Sequence, residues 1–232
     1  MKTYTEHIFE ELIDNSPEAK LRRYLERKRR EREERERNRP RPKSREELQD
    51  MIIAAIKEKG PEVDLNYIDV SVIDDMHFLF DSYYGDDEGK SELLKTVNGD
   101  ISEWDVSNVK NMSYMFWSAK NFNGDISDWD VSRVTNMRSM FYRATRFNQD
   151  ISKWDVSSVT YMVKMFYETE SFNRDISAWN TSNVTDMSYM FYQAESFNQD
   201  ISKWNVGKVN NANGVFDGCP IKEEYKPKKF QN

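Results

Sequence analysis

Cysteine is almost missing from this chain. Its 232 residues hold one, Cys219, which rules out an intramolecular disulfide and a thiolate metal cluster. Histidine is nearly as scarce: His7 and His77 are the two, in different segments, so a Ser/His/Asp or Cys/His arrangement is not expected. The eight glycines are mostly isolated, and none forms a phosphate-cradling loop. No apolar run approaches the length of a bilayer span. The opening MKTYTEHIFEELID has no apolar run of leader length, no lipid-attachment cysteine and no twin arginine. The expectation is a soluble cytoplasmic protein with no catalytic residues, no metal, no cofactor, no small-molecule substrate and no membrane partner.

Charge is plentiful and unevenly placed. The net charge is −7, yet residues 20–43 alone carry 13 Lys/Arg against five Glu. Residues 5–15 have Ile8, Phe9, Leu12 and Ile13 at helical spacing. Ser16-Pro17 then reads as a helix start. The helix that follows, over 17–38, has only Leu21, Tyr24 and Leu25 as large apolar residues. Its spacing offers Glu26/Arg30, Glu31/Arg35 and Glu33/Arg37 as i,i+4 pairs. The run RPRP at 39–42 ends it. A second helix begins at Ser44, with Glu47 completing a capping box, and stops at Gly60-Pro61. Its stripe of Leu48, Met51, Ile52, Ala55 and Ile56 needs a surface to cover.

From there the chain repeats itself every 25 residues. Asp recurs at 100, 125, 150, 175 and 200, and Trp at 104, 129, 154, 179 and 204. Val recurs at 109, 134, 159, 184 and 209, and Phe at 116, 141, 166, 191 and 216. A worn copy at 68–80, IDVSVIDDMHFLF, precedes these by one period plus an insertion, which makes six units. Within a unit, I-x-x-W-x-V-x-x-V reads as a strand side. Met187, Met190, Phe191 and Ala194 fall on one face of a short helix. No unit can bury its own apolar set, so neighbours must stack and the ends must be capped.

The unit FNQDISKWDVSSVTYMVKMFY closely resembles the repeat of the BspA-like leucine-rich-repeat family, also described as the mycoplasma lipoprotein repeat, over 61–218. The resemblance implies an α/β fold, a leucine-rich-repeat-like solenoid of six units used for recognition, often on bacterial surfaces. The organisation expected is a charged helical arm (1–42), a capping helix (43–60), the repeats (61–218) and a tail (219–232). Without an export signal, an intracellular member, encoded by a phage or other mobile element, is expected.

Positions that never vary between copies must fit the stack, so binding is expected where copies differ. On the strand side these are Glu103, Asp128, Lys153 and Lys203, with Asn108, Arg133, Asn183 and Lys208. On the helix side they are Tyr114, Lys164 and Tyr189. The stacked aspartates are expected to cap turns, with calcium as the alternative. In the arm, Arg22, Arg23, Arg27, Lys28, Arg29 and Arg30 suit a partner contact or nucleic-acid phosphates. The function expected is a non-enzymatic recognition module for another protein, an inhibitor or adaptor. The alternatives are a nucleic-acid binder through the arm, a nucleic-acid mimic through the acidic body, and an adhesin exported by an unrecognised route.

Overall fold

The computed structural model describes residues 16–81 and 88–231. The chain divides into two compact units, Met1–Pro40 and Arg41–Asn232. The expected helix over 5–15 lies outside the described residues.

The first unit holds helix α1, Pro17–Arg37. Ser16 caps it, its hydroxyl accepting from the Ala19 N–H at 3.2 Å, and Pro17 sits where no intrahelical N–H is needed. Leu21, Tyr24 and Leu25 are exposed along it.

In the second unit, α2 (Arg45–Lys59) begins at Ser44, whose hydroxyl accepts from the Glu47 N–H at 3.2 Å. The Glu47 carboxylate accepts from the Lys43 N–H rather than that of Ser44. Leu48, Ile52, Ile53, Ala55 and Ile56 are buried. A third helix, α3 (Glu88–Leu94), lies in the insertion between the first two repeats and contacts α2.

The repeats stack in register. Parallel single-residue bridges join Asp75 to Asn111, and then Asn136, Tyr161, Asp186 and Asn211 in turn. The expectation of an α/β leucine-rich-repeat-like solenoid is corrected here. Among the described residues there are three α-helices and no strand or sheet, and residues 99–218 contain no helix. The reason lies in the backbone. In the coil beginning at Met162, the N–H groups of Met162, Lys164, Phe166 and Glu168 donate to Asp186, Ser188, Met190 and Tyr192 of the next coil, at 2.8–3.1 Å. Those of Met165, Tyr167 and Thr169 instead fold back on the carbonyl three residues earlier, each at 3.2 Å. A strand cannot do this, nor can an α-helix. Left-handed φ values recur at Tyr114, Ser139, Lys164 and Tyr189 (53–60°) and at Ser118, Arg143, Glu168 and Gln193 (50–56°). Each disfavours its residue by about 1–2 kcal/mol, so the stacking must over-determine it. The strand-side positions are turned as well: Trp154 N–H donates to Ile151, and Val159 N–H to Val156.

The core runs the length of the stack. Ile151, Trp154, Val156, Val159, Met162, Met165, Phe166 and Phe172 are all buried, and the neighbouring coils repeat the pattern. Phe116, Phe141, Phe166, Phe191 and Phe216 form one row of stacked rings with centroids 5.4–5.8 Å apart. Dispersion and burial accumulate along such a row while each coil touches only its neighbours.

Candidate interaction surface

Two kinds of residue reach the outside of the stack: those that cap turns and those that differ between coils. The recurrent aspartates belong to the first. Asp100, Asp125, Asp150, Asp175 and Asp200 each accept the N–H of the serine two residues on, at 2.9–3.0 Å. In a second series, Asp105, Asp130, Asp155 and Asn180 do the same and Asn205 accepts the Gly207 N–H, at 3.0–3.2 Å. The Ser152 N–H, ahead of its hydroxyl, holds Asp150 below the usual carboxylate range. For Asp130 and Asp155 the serine hydroxyls come first. Among the described residues no three His, Cys, Asp or Glu gather as a metal site would require.

The varying positions form columns. Glu103, Asp128, Lys153 and Lys203 are exposed, and Lys153 lies 3.8 Å from Asp128 with both side chains in solvent. Such a pair contributes little stability. Asn108, Arg133, Asn183 and Lys208, also exposed, are tied between coils: Arg133 Nη1 donates to Asn108 Oδ1 at 2.9 Å and Lys208 Nζ to Asn183 Oδ1 at 2.7 Å.

Tyr114, Lys164 and Tyr189 stand at left-handed turn corners, not on a helix. Tyr114 stacks on Phe78 at 4.3 Å. Lys164 lies over the rings of Tyr167 and Tyr189, 5.7 Å from each centroid. These contacts lead to a row that the sequence reading missed: Trp117, Tyr142, Tyr167 and Tyr192, one per coil and all half-buried. Tyr142, Tyr167 and Tyr192 stack at 4.6 Å. Burial, then the neighbouring phenols and Glu168, push Tyr167 up to about 12, which keeps its hydroxyl a donor. Arg143 forks onto Glu168 of the next coil at 2.7 and 3.2 Å. The signal was present in MFW, MFY, MFY and MFY, where the second aromatic follows the buried Phe. Because the three tyrosine rings face one another, they offer edges and hydroxyls to a partner rather than ring faces.

In the first unit, Arg22, Arg27, Lys28, Arg29 and Arg30 are exposed and Arg23 is half-buried. Arg27 and Lys28 both reach Glu31 (3.5 and 2.9 Å), and Arg29 reaches Glu33 (3.5 Å). These pairs run opposite to the order expected from the spacing. Lys28 holds Glu31 below its usual value.

His77 does sit among carboxylates. A cavity of about 320 Å³ beside it is lined by Ser44, Arg45, Glu46, Asp74 and Asp75. Its Nδ1 pairs with Asp75 at 2.8 Å, and its Nε2 meets the Arg45 guanidinium. Both ring nitrogens are therefore occupied, and the Ser44 hydroxyl is committed to its helix cap. Burial raises the Cys219 thiol to about 11, far from a reactive thiolate.

The family described as Mycoplasma protein of unknown function, DUF285, matches residues 47–157, 86–176 and 125–226. The chain belongs to this family. The three overlapping matches tile the stacked coils together with most of α2, so the family is defined by the repeat rather than by the arm. No curated protein and no solved structure shows a match. Among the described residues, no helix is long and apolar enough to cross a membrane.

Proposed function

We propose that this chain is a non-enzymatic recognition module that binds another protein through the side of its stacked coils. The observation that carries the reading is the division of labour within the unit. Recurrent residues are buried or cap turns, while the residues that differ stand in columns at the surface beside the half-buried row Trp117, Tyr142, Tyr167 and Tyr192. Tyrosine and tryptophan supply large contact area at low entropic cost, and arginine adds directional hydrogen bonds. The likeness to BspA-like repeats extends, in this proposal, to use of the stack for recognition and not to a leucine-rich-repeat strand face. A cytoplasmic inhibitor or adaptor is the form we favour.

The test uses the chain's own variation. Ser139 occupies the same corner as Tyr114, Lys164 and Tyr189. The triple variant Tyr114→Ser, Lys164→Ser, Tyr189→Ser should keep its melting temperature within a few degrees. It should lose at least about tenfold in affinity for the protein captured by the unaltered chain from nuclease-treated host lysate. Unchanged affinity would sink the side-face reading. Capture abolished by nuclease would move the function to α1 and nucleic acid.

A further inference from the structure

The two ends of the stack are finished differently. At the junctions between coils, the N–H groups of the turned segment, such as Met162, Lys164, Phe166 and Glu168, point towards the C-terminal neighbour, while those of Thr135, Thr160, Thr185 and Asn210 point back to the N-terminal one; along the turned segment the first coil therefore has carbonyls to spare and the last has N–H groups. The first coil is closed by α2. Arg45 Nη1 donates to the His77 carbonyl at 2.8 Å, and Gln49 Nε2 to those of Phe78, Leu79 and Asp81 at 2.8–3.1 Å.

The last coil is closed only in part. Residues 219–231 cover part of it, with two 3-10 turns at Glu223–Tyr225 and Lys228–Phe230. The Lys222 N–H donates to Asn198 Oδ1 at 3.0 Å, as the Asn198 N–H does to Asn173 Oδ1 one coil earlier. Tyr225 accepts from the Ile201 N–H at 3.0 Å, and Lys229 Nζ reaches the carbonyls of Val206 and Val209. Beside this half coil lies a cleft of about 400 Å³, lined by Ala212, Gly214, Phe216, Lys226 and Phe230 among others.

Along residues 210–218, which run past that cleft, some main-chain groups are unpaired. Ala212, Gly214, Phe216 and Gly218 stand where Met187, Tyr189, Phe191 and Gln193 donate to the following coil, and their N–H groups meet no acceptor among the described residues. The carbonyl of Asn210 stands where those of Lys110, Thr135 and Thr160 accept from the next coil, and it accepts nothing. The row of stacked phenylalanines also stops here: Phe216 meets Phe230 edge-on, at 63° and 6.3 Å.

We propose that this end binds a segment of another polypeptide, which completes the last coil by taking the turned backbone course of the coils before it and pairing with main-chain groups over residues 210–218. The pattern of unpaired groups selects the occupant. One acceptor followed by four donors at every second residue matches a peptide backbone; a carboxylate or phosphate has no donor for Asn210. A second copy of this chain does not fit, because the carbonyls of its own first coil are taken by Arg45 and Gln49. The chemistry required is about nine residues carrying an aromatic side chain at the position that Phe191 and Phe216 hold in their own coils. This end site is independent of the side-face columns, so either proposal can fail and leave the other standing.

The probe is the chain's own fitting segment, a synthetic peptide of residues 184–195, VTDMSYMFYQAE. The intact protein is titrated with it and amide hydrogen exchange is followed. The amides of Ala212, Gly214, Phe216 and Gly218 should exchange fast in the free protein and slow by at least about tenfold when peptide saturates. A scrambled peptide should leave them fast. Absence of saturable binding, binding without protection of these four amides, or equal protection by the scrambled peptide would each overturn the proposal. Protection that rises with protein concentration alone, together with a dimer mass, would also overturn it and assign the end to a second copy.

Discussion

The indole N–H of Trp154 donates to the carbonyl of Ile126, 28 residues back, at 3.0 Å. The same bond recurs from Trp104, Trp129, Trp179 and Trp204, to Leu65, Ile101, Ile151 and Ile176. The tryptophan thus fills volume and satisfies a buried carbonyl of the preceding coil in one side chain.

Two substitutions separate those roles. Trp154→Phe keeps most of the volume and orphans the Ile126 carbonyl, at a cost of about 1–3 kcal/mol. Trp154→Ala adds a cavity in mid-stack, for about 3–5 kcal/mol in all. Denaturant unfolding should rank the alanine variant clearly below the phenylalanine one. Equal costs would mean that the hydrogen bond, not the packing, dominates.

The capping aspartates predict acid sensitivity. Asp100, Asp130, Asp150 and Asp155 are each held lower in the folded chain than an ordinary carboxylate, by serine N–H and hydroxyl donors. A depressed folded value means stability that is present above the unfolded pKa, about 4, and is lost as pH falls below it. The melting temperature should be flat from pH 7 to about 5 and drop below about 4. Asp150→Asn together with Asp155→Asn keeps the acceptor oxygens and removes the titration. That variant should melt lower at pH 7 and show a shallower acid drop than the parent.

Gly99 is required by a close approach. A Cβ there would lie 2.2 Å from the Val63 carbonyl oxygen, a main-chain atom with no freedom to move aside. Gly99→Ala should destabilise by about 1–3 kcal/mol through overpacking. Gly124→Ala, whose nearest contacts are 3.1 Å and longer, should cost less. Thermal melts of the two single variants make the comparison.

Period, repeat number and inward residues could all be read from the chain, because the recurrent Ile, Trp, Val, Met and Phe are the residues that end up buried. The local structure could not. Met187, Met190, Phe191 and Ala194 are spaced as a helix would space them, but a run of three-residue turns brings the same positions inward. The alternate left-handed φ values fall on Tyr, Ser, Lys, Arg, Glu and Gln, which carry no glycine-like mark. Only the last coil writes the requirement openly, with Gly214 (φ 59°) and Gly218 (φ 73°) at the same corners. The row through Tyr142, Tyr167 and Tyr192 was visible as recurring MFY, yet its half-buried stacking depends on the spacing between coils, which no single unit encodes.

The recurrence of the same hydrogen bonds at each junction of the stack governs how such chains can change length. Each coil makes the same set of bonds to the one before and to the one after, so a whole 25-residue unit inserted between two others meets the same partners on both faces. Neither the Arg45 and Gln49 end nor the half-coil end would register the change. Copy number is therefore free to drift by duplication and loss, and with it the count of exposed columns, while the two ends stay as they are.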